Sequence, residues 1–250
     1  MTRTSRIAPA LVGSGLALLG GQLAYVIKRD LPTFGNMDAS IELGNPSNPP
    51  LDITAFGDSS LTGPGLDSPD DIWIRRAIKD YENCRHVRLT SLAVGGSQAT
   101  DVLEEQLPLF TGADVAIIAV GSNDALRGTP LSRIERALIA IIEELISGDT
   151  VVALTGVGDL GTIPRLPSPL ADIARYRGRQ VDAIEARLAA GNPRVFKAPI
   201  WPRTVTTFRA TPDVFAGDLF HANADGHRIW ADAFRSTLRH AVALADHRRQ

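Results

Sequence analysis

Four short groups of residues in this sequence contain the functional groups that a serine nucleophile needs. They are Gly57-Asp58-Ser59-Ser60, Gly95-Gly96-Ser97, Gly121-Ser122-Asn123-Asp124 and Asp218-Leu219-Phe220-His221. A serine hydroxyl is a weak nucleophile near neutral pH and needs an adjacent base. Histidine supplies that base when a carboxylate orients its ring, and nearby amide N–H groups stabilise the oxyanion that forms.

Each of these groups also has an ordinary structural interpretation. A Gly-Asp-Ser sequence after a strand is often only a turn. The pair Asn123-Asp124 is also typical of a helix N-terminus, and His221 alone would be read as a packed or surface histidine. The order of the groups along the chain is therefore more informative than any one of them.

Short apolar segments alternate with amphipathic helical segments after residue 50. The apolar segments predict strands at residues 51–56, 87–94, 115–120, 151–155 and 195–198. This alternation predicts an α/β fold, with a five-stranded parallel sheet covered by helices on both faces. Ligands bind such sheets beyond the carboxyl ends of the strands, which is where the first three groups fall.

The four groups, in this order and after these elements, resemble the blocks of the SGNH hydrolase superfamily, also called GDSL esterases and lipases. The resemblance covers roughly residues 51–245. It implies a three-layer, flavodoxin-like α/β sandwich and a serine esterase that acts through an acyl-enzyme intermediate. It implies no cofactor.

The resemblance also implies a role for each matching residue. Ser59 would be the nucleophile, His221 the base and Asp218 the carboxylate that orients His221. The oxyanion hole would consist of the Ser59 and Gly96 backbone N–H groups and the Asn123 side-chain amide. Ser60 is the rival nucleophile.

Several residues depart from the family pattern or carry no assigned role. Ser60 stands where the name-giving motif has Leu, Ser91 where Asn is common, and Ala222 where Pro often follows the histidine. His227, like the other histidines near the C-terminus, is interpreted as a helix or tail residue. Asp159 is predicted either to line the site or to form a turn.

The N-terminal part of the chain contains an uncharged run at residues 7–27, flanked by Arg3 and Arg6 before it and by Lys28-Arg29 after it. An apolar helix of this length spans about 30 Å, the thickness of a bilayer core. Residues 1–29 are therefore predicted to form a hydrophobic helix that acts as a signal anchor or a signal peptide, with a buried helix as the alternative. Residues 30–50 are predicted to be a linker and residues 51–250 the hydrolase domain.

Composition excludes several other classes of protein. The formal net charge is −2, so the chain lacks the basic excess of a nucleic-acid-binding protein. The single cysteine excludes an internal disulfide framework and a multi-cysteine zinc site. No recognised metal-ligand spacing is present, and the oligomeric state is left open.

The composition of two long loops indicates which kind of substrate the site binds. Residues 156–168 and 199–217 contain apolar side chains that are expected to form an acyl pocket, namely Leu160, Ile163, Leu166, Trp201, Phe208 and Phe215. A short or medium acyl ester, borne by a small molecule, a glycan or a lipid, is the expected substrate, and the enzyme is expected to be membrane-anchored or exported to the cell envelope. The alternatives are an O-acyltransferase or deacetylase acting on a glycan or envelope component, and a non-enzymatic flavodoxin-like binding module.

Overall fold

A central sheet organises the part of the chain that the computed structural model describes, residues 20–22, 26 and 28–249. Its strands are β1 (Ile41–Leu43), β2 (Pro50–Gly57), β3 (His86–Ser91), β4 (Val115–Ala119), β5 (Val151–Leu154) and β6 (Val195–Lys197). They lie in the order β1-β3-β2-β4-β5-β6. All five side chains of β4 are apolar and buried, because helices cover both faces of the sheet at its centre.

The prediction of a five-stranded parallel sheet is wrong in one respect, because the sheet has six strands and is mixed. The additional strand, β1, pairs antiparallel with β3, with Ile41 opposite Leu89. It is only three residues long and lies at the sheet edge, so its sequence lacks the apolar run of a central strand. The strand falls within residues 30–50, where a linker was predicted, and Ala39 beside it is fully buried.

Helices form a layer on each face of the sheet. They are α1 (Ser59–Thr62), α2 (Trp73–Ile78), α3 (Ala99–Asp101, continued by a π-helical turn Val102–Gln106), α4 (Ser122–Arg127), α5 (Leu131–Ser147), α6 (Leu170–Ala190), α7 (Ile200–Ala210) and α8 (Ala224–Arg248). Single 3₁₀ turns lie at Pro69–Asp71, Lys79–Tyr81, Leu107–Leu109, Leu160–Thr162 and Pro212–Val214. Helices α2 and α8 pack on one face, while α5, α6 and the π-helical turn pack on the other. The three-layer α/β sandwich predicted from the sequence is therefore present.

The helix layers follow from the spacing of apolar residues. In α5 the buried side chains Ile134, Leu138, Ile141 and Leu145 recur every three or four residues, so they form one stripe on the helix that faces the sheet. In α8 Phe234 is fully buried and contacts Trp73 of α2 edge to face, with ring centroids 4.9 Å apart. This contact holds the last helix against an early one.

Most of the uncharged run at residues 7–27 lies outside the described residues, and so does most of the predicted N-terminal helix. Within the described ranges, no helix combines the length and the apolar character that crossing a membrane requires. Two described residues of the run contact the loop before α6. Gln22 Nε2 donates to the Ser168 carbonyl at 2.5 Å, and Arg165 Nη2 donates to the Val26 carbonyl at 3.1 Å.

Candidate active site

Ser59 lies in a sharp turn between the central strand β2 and helix α1. The turn begins at Gly57, where a side-chain Cβ would lie 2.1 Å from the Ala119 carbonyl oxygen of β4, so only glycine fits. Asp58 then caps α1 by accepting a hydrogen bond from the Ser60 N–H at 2.9 Å. Ser59 is thereby fixed at the first position of a helix and lines a cleft at the carboxyl end of the sheet.

His221 reaches the same cleft from the loop before α8, and Asp218 holds its ring. The distance between Asp218 Oδ2 and His221 Nδ1 is 2.6 Å. The other carboxylate oxygen, Oδ1, accepts the backbone N–H groups of Phe220 and His221, each at 3.0 Å. Leu219 allows this tight turn by adopting a φ of 57°. Because Nδ1–H donates to Asp218, the Nε2 atom of a neutral His221 is an acceptor.

Asn123 enters the cleft from α4, beyond the end of β4. Its Nδ2 donates to the Ser97 carbonyl at 3.1 Å and lies 3.4 Å from Asp58 Oδ2. Gly96 precedes Ser97 in the turn after β3 and adopts a φ of 85°, which glycine tolerates best. Gly96 therefore adjoins the Asn123 amide through Ser97, although it is not itself among the residues that line the cleft.

Two buried carboxyl groups hold these turns together. Asp124 is fully buried and accepts the Ala99 N–H at 2.9 Å, so it joins the start of α4 to the start of α3. Burial raises the pKa of Asp124, and this hydrogen bond partly opposes the effect. Burial likewise raises the pKa of Asp58 to about 6, against the hydrogen bonds that it accepts from Ser60.

The cleft has a volume of about 770 Å³, including the part that is open to solvent. Its apolar wall contains Leu160, Ile163, Phe208, Phe215, Phe220 and Trp230. The first four were predicted as acyl-pocket residues. Leu166 and Trp201 were also predicted, but they do not line the cleft, and the Trp201 ring instead lies 5.0 Å from the Arg179 guanidinium.

His227 and Trp230 are among the cleft residues that the sequence prediction missed. Both lie on α8, whose apolar spacing predicts that this side of the helix faces the core. The sequence does indicate that the two residues are neighbours, because they are three positions apart and therefore lie on the same side of the helix. This side of the first two turns of α8 therefore faces both the core and the cleft.

Asp159 has both of the roles that were left open for it, because it lines the cleft and forms a turn. Its Oδ1 accepts the Gly161 N–H at 3.0 Å and lies 3.1 Å from Arg175 Nε on α6. Its Oδ2 lies 2.6 Å from Arg209 Nη2 on α7. This double ion pair is buried at Asp159 and ties the loop after β5 to α6 and α7. Within the described part of the chain, no three His, Cys, Asp or Glu side chains are grouped as a metal site.

Glu185 supports the turns behind the cleft from the inner side of α6. It is buried, and its Oε2 accepts the Gly156 N–H at 2.9 Å. Its neighbour Asp182 accepts the Val157 N–H at 3.1 Å and pairs with Lys197 at 2.7 Å. Burial raises the pKa of Glu185 to about 8, against the nearby positive charge of Lys197.

Glu185 should make the protein lose stability between pH 5 and pH 8, and Glu185→Gln should reduce this loss. The folded-state pKa of Glu185 is about 8 and its ordinary value is 4.5, so the folded protein binds this proton more tightly than the unfolded chain. The stabilisation is complete below the ordinary pKa and is lost as the pH rises through the folded-state pKa. Urea denaturation of both proteins across this range measures the difference. Glu143→Gln, at an exposed position of α5, is the control, and parallel pH profiles for wild type and Glu185→Gln would contradict the assignment.

Comparison with known proteins first gives the class of protein, which is that of the GDSL-like lipases and acylhydrolases. The chain belongs to the GDSL-like lipase/acylhydrolase family, whose model matches residues 55–229. This match confirms the resemblance inferred from the four groups of residues. It includes the turn that carries Ser59 and the loop that carries Asp218 and His221.

A curated relative is similar in sequence, and solved structures are similar in fold. A GDSL-like esterase of Mycobacterium tuberculosis is 28% identical over 207 residues, which are 77% of this chain and 64% of that protein, so the match leaves about a third of the relative unaccounted for. A lipolytic protein of the G-D-S-L family from Veillonella parvula has a TM-score of 0.57 and 21% identity, covering 75% of this chain and 98% of that one. Phospholipase A1 from Streptomyces albidoflavus has a TM-score of 0.59 and 14% identity, covering 76% and 98%. At these identities the solved structures show a common fold.

Proposed function

We propose that this protein hydrolyses carboxylic esters of short or medium acyl chains, with Ser59 as nucleophile. The observation that carries the proposal is the hydrogen bond of 2.6 Å between Asp218 and His221, because His221 lines the same cleft as Ser59. Asp218 fixes the tautomer in which His221 Nε2 can accept a proton. It also stabilises the imidazolium that forms when this proton arrives.

The reaction has two steps. In the first, Ser59 Oγ attacks the ester carbonyl carbon while its proton moves to His221 Nε2, and the resulting imidazolium then protonates the departing alkoxide oxygen. In the second, His221 removes a proton from water, the hydroxide attacks the acyl carbon, and the proton returns to Ser59 as the acid leaves. Each step passes through a tetrahedral oxyanion.

The oxyanion is stabilised by three donors, the Ser59 and Gly96 backbone N–H groups and the Asn123 side-chain amide. The N–H of Ser59 lies at the start of α1, and the Ser97 carbonyl holds the Asn123 amide. Donors fixed before the reaction stabilise developing charge without reorganisation, and the loss of one typically lowers kcat about 100- to 1,000-fold. Gly96 is connected to the Asn123 donor because the carbonyl of the next residue, Ser97, accepts a hydrogen bond from the Asn123 amide.

The aromatic wall supports an acyl group of limited size. Phe208 and Phe215 meet edge to face with centroids 5.5 Å apart, and the Asp159–Arg209 ion pair holds the helix that carries Phe208. A pocket bounded in this way gains from burying a few methylene groups, at about 0.8 kcal/mol each. Chains longer than the pocket gain nothing further, so we expect kcat/KM to reach a maximum at short or medium length.

A fluorophosphonate probe and an ester panel together test the proposed function. The probe should label the purified protein at Ser59, as located by peptide mass spectrometry, and p-nitrophenyl esters of increasing chain length should be hydrolysed with the maximum described above. Denatured protein is the control for non-specific labelling. Label at Ser60 instead of Ser59, or no hydrolysis of any ester, would contradict the proposal.

We also propose that residues 1–29 target the protein to a membrane or for export, with residues 7–27 as the apolar segment. The support is the sequence, because this run contains no charged residue and is long enough to cross a bilayer as a helix. The full chain should sediment with membranes or be found outside the cytoplasm, whereas a chain that begins at residue 30 should do neither. The same distribution for both proteins would contradict this proposal.

A further inference from the structure

His227 is a buried side chain of the cleft that the proposed reaction does not use. It lies in the first turn of α8 and is 1% exposed. Its Nδ1 accepts the Trp73 backbone N–H at 3.1 Å, which is one of the N–H groups left without a partner at the start of α2. Burial, with the charges of Arg76 and His221, lowers the pKa of His227 to about 3, so the ring is neutral.

The proton of the His227 ring is fixed on Nε2. A neutral imidazole carries one N–H, and Nδ1 is already an acceptor. Within residues 28–249 Nε2 has no hydrogen-bond partner, yet it is not enclosed in the core, and the residue lines the cleft. A donor in this position is left unsatisfied unless a molecule in the cleft accepts its hydrogen bond.

The other polar groups on this wall are already paired. Thr162 Oγ1 donates to the Asp159 carbonyl at 2.7 Å, and Thr204 Oγ1 donates to the Ile200 carbonyl at 2.8 Å. The Asp159 carboxylate accepts from arginines on two helices, as described above. The His227 Nε2–H is therefore the donor that this wall can offer to a substrate.

Aromatic rings surround this donor. The His227 ring meets Trp230 edge to face with centroids 5.2 Å apart. Trp230 stacks on Phe208 at 5.8 Å, with an angle of 9° between the planes. A purely alkyl group in this pocket would displace water from the donor and offer it nothing in return, which costs free energy.

We propose that His227 Nε2–H donates a hydrogen bond to an ether, hydroxyl or carbonyl oxygen in the acyl or alcohol group that occupies the aromatic pocket. Esters that carry such an oxygen a few bonds from the scissile carbonyl are then the preferred substrate class. This inference rests on the proposed function. His227 acts as a specificity-determining residue, and His221 alone transfers protons.

Matched ester pairs test the inference. One pair is a p-nitrophenyl alkanoate and its analogue with an ether oxygen in place of one methylene, with the oxygen placed in turn along the chain. The other is an alkyl acetate and the corresponding alkoxyalkyl acetate. For at least one placement of the oxygen, the wild type should hydrolyse the oxygen-bearing ester with a kcat/KM about tenfold higher than that of its alkyl partner. This factor is counted after division by the ratio of the alkaline hydrolysis rates of the two esters, which corrects for their intrinsic reactivity.

Two substitutions separate the two nitrogens of His227. His227→Asn places Oδ1 where Nδ1 accepts from Trp73 but removes the donor at the ε position, so the preference should disappear while the alkyl ester is still hydrolysed. His227→Gln places an amide near the ε position without the δ acceptor, so it should keep part of the preference although it unfolds at a lower temperature.

Three results would overturn the inference. They are equal kcat/KM for both members of every pair in the wild type, an unchanged preference in His227→Asn, and loss of the whole preference in a folded His227→Gln. The first does not depend on any variant being stable. Ser59→Ala separates this inference from the proposed function. Hydrolysis by that variant at close to the wild-type rate overturns the function itself, whereas a strongly impaired Ser59→Ala with no preference in the wild type overturns only the role of His227.

Discussion

Ser59→Ala should lower kcat/KM for a p-nitrophenyl ester by about 10⁵-fold while leaving the fold intact. The substitution removes the atom that we propose attacks the substrate, and the side chain lies at the surface of a cleft where the loss of a hydroxyl creates no cavity in the core. The remaining rate would come from the oxyanion donors and from binding. Stopped-flow or steady-state release of p-nitrophenol measures the effect, with thermal unfolding as the check on the fold.

Ser60→Ala is the matched control for this experiment. Ser60 is the next residue of the same helix and also lines the cleft, and its backbone N–H, which Ser60→Ala keeps, donates to Asp58. Loss of the Ser60 hydroxyl should change the rate by less than about tenfold. If the two variants were equally impaired, or if Ser60→Ala lost more activity than Ser59→Ala, the assignment of the nucleophile would be wrong.

Asp218→Asn should lower kcat by about 10⁴-fold with little change in KM. Asp218 Oδ1 accepts two backbone N–H groups and would keep doing so as the amide oxygen, so the amide NH₂ group would then face His221 Nδ1. An NH₂ group donates, which forces His221 into the tautomer with its proton on Nε2. That tautomer has no lone pair with which to accept the Ser59 proton.

The control for this variant is Asp225→Asn, because Asp225 lies on the same stretch of chain and its side chain forms an exposed ion pair with Arg228. Its activity should stay within about twofold of wild type. Full activity in Asp218→Asn would show that His221 needs no carboxylate partner. A rise in KM without a fall in kcat would instead indicate a role for Asp218 in binding.

The main strands and the four groups of residues could be predicted from the sequence for a common physical reason. A strand covered on both faces must be apolar along its length, so a segment such as β4 stands out in the sequence. Parallel strands end at one edge of the sheet, so Ser59 and Asn123, which follow neighbouring strands, were expected to converge there. The structure places both in one cleft.

The features that were missed depend on tertiary contacts that sequence periodicity does not contain. Strand β1 is formed by only three residues and exists because β3 offers it an edge. Trp230 was predicted to face the core, and it packs against the core while also lining the cleft. Leu166 was predicted to line the cleft from its loop position alone, but it is partly buried and packs against the core.

The contact between Trp73 and Phe234 has a consequence for biosynthesis. It joins α2 to α8, and the loop directly before α8 supplies Asp218 and His221. A ribosome releases the N-terminal elements first, so the turn that carries Ser59 emerges long before its base. Under the proposed mechanism, the nascent chain therefore carries its nucleophile without a base, and we expect it to become active only when the last helix docks.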